Sequence, residues 1–344
     1  MDLSIVSKKT LIIGPSWVGD TIMAQSLFKL LKKQSPNNQI DVLAPKLTIG
    51  LLGRMPEVNV AIESPFVHSK FEFMQHYKLA QKLRQNKYDN AIIMSNTFKS
   101  ALTPWLAKIK TRTGWLGEHR YLALNDIRYL NKTHYPMMIE RYLSLGIPPN
   151  QTLISPYPYP QLEVSIESRN QILEKNEHLR LNQPILAMCI GAEYGESKRW
   201  PAEHFAHVAN KLITAGWYVW LIGSSTERPI AEKIMQLTKH ACHNLTGQFS
   251  LTETIDLMSL VSGVLTNDTG LMHIGAALNK QLIALFGSSS PVHTPPLNSK
   301  AKILSLNLEC SPCFKKTCPL EHFRCLRDLK PMQVLSAISA WQII

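Results

Sequence analysis

The chain has 344 residues, which is too long for one ordinary hydrophobic core and predicts two domains. Apolar residues make up 45% and charged residues 18%, a composition that excludes a disordered chain. We find no apolar run long enough to cross a membrane and no signal-peptide layout at the N-terminus, so we expect a cytoplasmic protein.

Positive charge is concentrated in the first half of the chain. The formal net charge is +12; residues 1–165 carry 20 Lys and Arg against 11 Asp and Glu, whereas residues 166–344 carry 17 against 14. This excess predicts an anionic partner, which could be a phosphorylated substrate, a membrane surface or nucleic acid, although it could also serve solubility alone. Because no nucleic-acid reader motif accompanies the charge, we expect no nucleic acid as a partner.

Strand and helix patterns alternate along the chain in two blocks. In the first helix the apolar residues Ala24, Leu27, Phe28 and Leu31 share one face. Such alternation is typical of parallel sheets that are covered by helices on both faces. The predicted strands are 9–14, 39–44 and 90–95 in the first block and 185–190, 218–222, 263–266 and 282–286 in the second, with further helices at 202–215 and 230–239.

A proline-rich connector, "SPYPYPQ" at 155–161, separates the two blocks. We therefore predict one domain at 1–160 and a second domain at 161–328, both Rossmann-like. Two such α/β domains would face each other across a ligand-binding cleft at the carboxyl ends of their strands. For residues 329–344 we expect a C-terminal helix that packs back towards the first domain.

The loop "GPSWVGD" at 14–20 joins the first strand to the first helix, where backbone N–H groups favour an anion. It lacks the G-x-G-x-x-G pattern of nicotinamide-dinucleotide sites. Asp20 is predicted either to cap the helix or to act as a general base.

Two loops of the second block have residues suited to a nucleotide. In "GAEYGESKRWP" at 191–201, Lys198 and Arg199 suit a phosphate, although they could be ordinary surface cations. In "LIGSSTER" at 221–228, Glu227 could accept hydrogen bonds from ribose hydroxyls or could be an exposed residue at a helix start.

The stretch "LTNDTGLMHIGAAL" at 265–278 predicts a buried strand that runs directly into a helix. Gly270 would allow a ligand close to the backbone, and the free N–H groups of the helix start suit a diphosphate. Thr269 adds a hydroxyl. Asp268 could cap the helix or bind sugar hydroxyls, and His273 lies on the same helical face as Gly270, either as a ligand or as a packing residue.

A cysteine cluster follows near the C-terminus, with the spacing C-x2-C-x4-C-x6-C. The spacing is compatible with a structural zinc, with a disulfide or redox role, or with free thiols in a packed loop, and we assign it no catalytic function. The chain contains no Asp-x-Asp, so a diphosphate would be neutralised without a divalent metal. The candidate zinc ligands are Cys310, Cys313, Cys318 and Cys325.

Several of these motifs together resemble bacterial ADP-heptose:lipopolysaccharide heptosyltransferases of glycosyltransferase family 9, type II in particular. The resemblance rests on "IGPSWVGDTIMAQSL", "RMPEVNVAI", "NTFKSAL", "ERY", "SKRWP" and "TNDTGLMHIGAALN", which occur in the same order over roughly residues 10–300.

The resemblance implies the GT-B fold and an inverting transfer that requires no cofactor. The implied donor is ADP-L-glycero-D-manno-heptose, and the implied acceptor is the first heptose of the lipopolysaccharide inner core, attached to Kdo and lipid A. The basic first half would then face the acceptor's phosphates and carboxylates and the anionic inner-membrane surface, with the protein peripheral at its cytoplasmic face. A transferase for another core sugar or an epimerase of the same architecture is the alternative.

The resemblance also assigns residues. Asp20 corresponds to the family's general base, and Lys198 to the lysine that neutralises the departing ADP. Glu227 corresponds to a ribose-binding glutamate. Type I relatives have two threonines before the lysine that corresponds to Lys198. This chain has Glu193 and Tyr194 there, so the hydroxyl contacts of those threonines cannot be assigned to it. The donor junction comprises Asp268, Thr269, Gly270 and His273, and the acceptor-binding cations would be Lys99, Arg112, Arg120 and Arg141.

Overall fold

The computed structural model describes residues 8–66, 72–149, 151–176, 179 and 181–341. The chain divides into two compact units, Met1–Pro160 and Gln161–Ile344. The division falls within the proline-rich connector at 155–161.

The described part of the first unit contains a parallel sheet of six strands in the order β3-β2-β1-β4-β5-β6. Its strands are β1 (Lys9–Ile13), β2 (Gln39–Ala44), β3 (Val58–Glu63), β4 (Asn90–Ile93), β5 (Thr111–Trp115) and β6 (Asp126–Arg128). Its helices are α1 (Val18–Gln34), α2 (Lys46–Leu52), α3 (Phe73–Gln85), α4 (Phe98–Leu106) and α5 (Met138–Leu143), followed by a 3-10 turn at Ser144–Gly146.

The central strands form because apolar residues fill both faces of a covered sheet. Ile12 of β1 pairs with Val42 of β2 on one side and with Ile92 of β4 on the other. Helix α1 covers this region with the apolar face predicted from its periodicity, since Ala24, Leu27, Phe28 and Leu31 are all buried.

The second unit repeats this design, with strand order β12-β11-β10-β7-β8-β9 among its described residues. Its strands are β7 (Ile185–Cys189), β8 (Tyr218–Ile222), β9 (His243–Asn244), β10 (Gly263–Asn267), β11 (Gln281–Leu285) and β12 (Ala301–Leu304). Its helices are α6 (Ile166–Lys175), α7 (Ala202–Thr214), α8 (Arg228–Leu237), α9 (Leu251–Met258), α10 (Gly270–Ala277), α11 (Arg324–Arg327) and α12 (Pro331–Ile338), with 3-10 turns at Glu196–Lys198 and Ser225–Glu227.

Both sheets have the connectivity of a Rossmann fold, in which the strand order reverses between the first and fourth strands. The reversal lies between β1 and β4 in the first unit and between β7 and β10 in the second. Ligands of such folds bind outside the carboxyl ends of the strands at this point. The predicted α/β class with two Rossmann-like parallel sheets is confirmed, and the ligand-binding edge of each unit is defined.

The sequence pattern missed the outer strands. Seven strands were predicted within one or two residues of their ends, but β3, β5, β6, β9 and β12 were not. The missed strands are short or half-exposed; β3, for example, has no buried residue. They are held at or near the sheet margins by backbone hydrogen bonds to the neighbouring strand. Their side chains form no long apolar run that would mark them in the sequence.

The C-terminal helix α12 packs on α7 and β11 of the second unit. Its apolar residues Val334, Ala337 and Ile338 are buried in the same core as Phe205. The helix predicted within 329–344 is present, and its apolar face completes the core of its own unit. That residues 329–344 also pack back towards the first domain stays a prediction. Residues 342–344 lie outside the described ranges.

The helices of the described ranges are short, the longest being α1 with 17 residues. None of them combines the length and the apolar character needed to span a bilayer.

Candidate active site

Asp20 lies in the first turn of α1, just beyond the carboxyl end of β1 at the strand reversal. It is the third helical residue, whereas the capping position is Trp17, so the alternative that Asp20 caps the helix is wrong. A carboxylate in a first turn interacts favourably with the positive end of the helix dipole. Asp20 is half-buried.

Tyr142 of α5 holds the Asp20 carboxylate. Its hydroxyl donates a hydrogen bond of 3.2 Å to Asp20 Oδ1, and its ring is buried. Burial and then the Asp20 charge raise the pKa of Tyr142 well above 10, so the phenol remains a donor at any physiological pH. Tyr142 lies in the "ERY" motif, and nothing local in the sequence connects positions 20 and 142.

Arg120 is fully buried, and its guanidinium donates to the carbonyl oxygens of Ser95, Thr97 and Trp115 and to Ser100 Oγ. Burial lowers its pKa to about 10, so the group stays charged at neutral pH. The prediction that Arg120 binds the acceptor is wrong, because a guanidinium enclosed by backbone carbonyls cannot reach a ligand. It instead fastens the connection after β4 to the connection after β5.

Replacing Arg120 by alanine is therefore expected to destabilise the protein by about 3 kcal/mol, since several buried carbonyls lose their donor. Chemical denaturation should show this loss, with Lys132→Ala, an exposed cation of the same unit, as the matched control. Unchanged stability together with a raised KM for the acceptor would restore the original prediction.

The remaining acceptor candidates differ in position. Arg112 lies near the amino end of β5, and its guanidinium donates to the carbonyls of Ala123 and Ile109, so it is at the opposite edge from Asp20 and that prediction is also corrected. Lys99 lies in the first turn of α4, after β4, and Arg141 precedes Tyr142. Lys99 therefore lies at the same sheet edge as Asp20, and Arg141 adjoins the hydrogen-bond partner of Asp20. Their acceptor-binding role stays a prediction.

In the second unit, Lys198 and Asp268 form an ion pair of 2.6 Å, with both side chains largely buried. Lys198 ends the 3-10 turn after β7, and Asp268 directly follows β10. The structure thus joins two residues that the sequence analysis assigned to one donor site. Asp268 does not cap α10; it fixes the ammonium of Lys198 beside the N-terminus of that helix.

Asn267 connects the two strands that flank the reversal. Its amide nitrogen donates to the carbonyls of Ile190 and Gly191, and its amide oxygen accepts from the Trp200 N–H. The side chain is completely buried. Asn267 therefore sets the course of the loop that carries Lys198, a role the sequence analysis missed; an amide at the end of an apolar strand was the available signal.

Glu227 is buried, so the alternative of an exposed glutamate at a helix start is wrong. Its Oε2 accepts from the Ser224 N–H at 2.7 Å and from the Ser224 hydroxyl at 2.6 Å, which closes a capping box. The side chain lies against Gly191, where any Cβ would collide with it. The acidic group is thereby placed between the ends of β7 and β8, and its ribose-binding role stays a prediction.

Thr269 caps α10: its hydroxyl accepts from the Leu271 N–H at 3.1 Å. Gly270 is the first helical residue, and His273 follows on the same helix. Backbone N–H groups at such a helix start are available to an anion, and the helix dipole favours it.

Burial lowers the pKa of His273 from 6.5 to about 4; Asp268 opposes this shift and Lys198 adds to it. The imidazole is therefore neutral at pH 7. The pKa of His273 is lower in the folded than in the unfolded state. Its contribution to the free energy of unfolding is therefore complete above pH 6.5 and is lost as the pH falls towards 4.

Between pH 7 and pH 5, the difference in the pKa of His273 between the folded and unfolded states should lower the free energy of unfolding of the second unit by about 2 kcal/mol. Denaturation of the full chain at both pH values, compared with His273→Asn, measures this contribution. An identical pH dependence in the two proteins would contradict it.

The cysteine-rich segment 310–325 packs on the loop that carries Lys198. The Tyr194 hydroxyl donates to the Phe314 carbonyl at 2.8 Å, and the Ser197 N–H donates to the Lys316 carbonyl at 3.1 Å. The ammonium of Lys198 lies 4.9 Å from the centre of the Tyr194 ring. The segment therefore supports the loop from outside, through a contact that sequence spacing could not indicate.

The four cysteines of the segment are free thiols that line one cavity together with His322. Within the described ranges, however, no set of three or more His, Cys, Asp or Glu side chains is placed to hold a metal ion. The structural zinc therefore stays a prediction, and the thiols are free in the structure.

Comparisons with known proteins agree with this architecture. Residues 76–324 match glycosyltransferase family 9 (heptosyltransferase). The chain is 46% identical to lipooligosaccharide heptosyltransferase 2 of Haemophilus influenzae over 86% of its length and 88% of that protein. It is 41% identical to lipopolysaccharide heptosyltransferase 2 of Escherichia coli, covering 96% and 98% of the two chains.

A solved structure of E. coli ADP-heptose lipopolysaccharide heptosyltransferase II superposes with a TM-score of 0.85, at 40% identity over 96% of this chain and 98% of that one. This likeness confirms the GT-B fold class that the resemblance implied. The family match covers most of the chain, and the two heptosyltransferases are more than 40% identical to it. The chain therefore belongs to glycosyltransferase family 9 and is a heptosyl-transferring enzyme.

Proposed function

We propose that the protein transfers L-glycero-D-manno-heptose from ADP-heptose to the first heptose of the lipopolysaccharide inner core. The single observation that best supports this proposal is the identity above 40% to lipopolysaccharide heptosyltransferases 2 over most of the chain. The acceptor heptose would be attached to Kdo and lipid A, and the donor would bind to the second unit.

Asp20 acts as general base in this proposal. The acceptor hydroxyl oxygen attacks the anomeric carbon as its proton passes to the Asp20 carboxylate, and the bond from that carbon to the diphosphate breaks with inversion. The hydrogen bond from Tyr142 supports this role, because it fixes the orientation of the carboxylate.

The donor's diphosphate would lie at the start of α10. The backbone N–H groups there and the ammonium of Lys198 supply the positive charge that offsets the negative charge developing on ADP as it leaves. The ion pair with Asp268 supports this assignment, since it keeps the ammonium beside the helix start. Glu227 would accept hydrogen bonds from the ribose. No divalent metal is required in this scheme.

The test is ADP release by the purified protein, given ADP-heptose with and without heptosyl-Kdo-lipid A in the presence of EDTA, together with mass spectrometry of the acceptor. We expect ADP release that depends on the acceptor and a gain of one heptose. Transfer from a different nucleotide-sugar would overturn the donor, and turnover of the nucleotide-sugar without an acceptor would indicate an epimerase.

A further inference from the structure

Lys316, on the cysteine-rich segment, places a second ammonium group near that of Lys198. The Lys198 ammonium lies over the Tyr194 ring, 4.9 Å from the ring centre. The Lys316 ammonium lies over the same ring, 6.0 Å from its centre. The two ammonium groups are therefore at most about 11 Å apart, close to the distance over which salt screens one charge from another. Both can act on one bound anion.

The main chain around Lys316 is held where the donor's diphosphate is proposed to lie. Its carbonyl accepts from the Ser197 N–H at 3.1 Å, and two residues earlier the Phe314 N–H donates to the Ser288 carbonyl at 2.7 Å. Ser197 follows β7 and Ser288 follows β11, and β10 lies between these two strands in the sheet. The segment thus contacts the connections on both sides of the strand that ends at Asp268 and α10.

The Tyr194 side chain fixes this arrangement. Its hydroxyl donates to the Phe314 carbonyl at 2.8 Å, so the ring is attached to the cysteine-rich segment while its main chain belongs to the loop of Lys198. The next residue, Gly195, has no room for a Cβ against the main chain of Lys316. The loop and the segment are therefore in direct contact, and the position of one lysine depends on that of the other.

The charges at the donor site are incomplete without Lys316. The ion pair of Lys198 with Asp268 has no net charge, so it attracts a diphosphate less than a free lysine would. Among the described residues, no carboxylate forms an ion pair with Lys316, whose side chain is exposed. Its ammonium therefore adds a positive charge that is not offset, and a lysine binds phosphate oxygens as a compact point charge.

We propose that Lys316 binds the diphosphate of the nucleotide-sugar donor, as a second ammonium beside Lys198. This inference rests on the proposed function for its ligand and extends the donor site to the cysteine-rich segment. Lys198 would share its charge between Asp268 and the diphosphate, whereas Lys316 would give its charge to the diphosphate alone. The segment would then contribute to donor affinity directly and not only as a support for the loop.

The test compares three variants of the full chain. Lys316→Gln removes the charge, and Lys316→Arg retains it. Lys315→Gln is the matched control, since Lys315 is the adjacent exposed lysine of the same segment. Calorimetric titration measures the Kd for ADP at low and high NaCl concentration and the Kd for adenosine, which has no phosphate. Steady-state kinetics give kcat and the KM for the donor.

We expect Lys316→Gln to weaken ADP binding on the order of tenfold at low salt, and to make that binding less dependent on salt. Adenosine binding should change less than about twofold, because adenosine has no charge for the ammonium to bind. The KM for the donor should rise with the Kd for ADP and kcat should change less, since the contact already exists in the bound donor. Lys316→Arg and Lys315→Gln should stay within about threefold of wild type.

Unchanged ADP affinity in Lys316→Gln would overturn the inference. An equal loss in Lys315→Gln, or an equal loss of adenosine affinity in Lys316→Gln, would also overturn it, because the effect would then be general charge or altered folding. Sugar transfer by wild type from a different nucleoside diphosphate would contradict the proposed donor alone. The same comparison with that nucleoside diphosphate would still decide the role of Lys316.

Discussion

Replacing Asp20 by asparagine is expected to reduce heptosyl transfer by about 10²–10⁴-fold in kcat, the usual contribution of a general base. The side chain keeps its size and can still accept the hydrogen bond from Tyr142, so the fold and the position of α1 should persist. ADP binding should be unchanged, because the donor contacts assigned above lie in the other unit. Single-turnover kinetics and calorimetric titration with ADP separate these two quantities.

Glu63→Gln is the matched control for this variant. Glu63 is an exposed carboxylate at the end of β3, on the same sheet edge, and its neutralisation should leave turnover near that of wild type. Full activity in Asp20→Asn would remove Asp20 from the chemistry. A loss that is as large in Glu63→Gln would indicate a general electrostatic effect of the edge instead.

The second large effect is expected at Lys198. Lys198→Met should lower kcat by about 10²–10³-fold and should also weaken ADP binding, since the ammonium interacts with the diphosphate both before and during its departure. The same change leaves the buried carboxylate of Asp268 without its 2.6 Å partner. Breaking such a pair from one side costs about 3 kcal/mol of stability.

A double variant separates chemistry from folding. Lys198→Met with Asp268→Asn removes the unpaired charge, so its stability should recover towards wild type while turnover and ADP affinity stay low. Denaturation curves, kcat and the Kd for ADP are measured on both variants. Recovery of turnover together with stability would show that Lys198 acts only through the fold.

The central part of the fold was predictable because burial imposes apolar residues on it. Strands such as β7, with five consecutive buried residues, are continuous apolar runs, and helix α1 shows its packed face in its spacing. The outer strands have no such signal, since their side chains are partly solvated and the backbone ladder that holds them does not depend on residue type.

The candidate site was predictable where residues adjoin in sequence, as at the start of α10. Contacts between distant positions were not. Arg120 is a residue type that often binds anionic ligands, but its guanidinium binds the carbonyls of Ser95 and Thr97 after β4 and of Trp115 at the end of β5. Asn267 and Tyr142 bind residues that lie 67 and 122 positions away along the chain, and residue type alone does not reveal such partners.

The seating of segment 310–325 on the loop of Lys198 has a consequence for protein engineering. The two stretches meet through the main-chain carbonyls of Phe314 and Lys316, and Gly195 has no room for a side chain against Lys316. A chimaera that takes either stretch from a relative without the other would pair mismatched surfaces beneath the lysine. Grafts between heptosyltransferases should therefore exchange both stretches as one module.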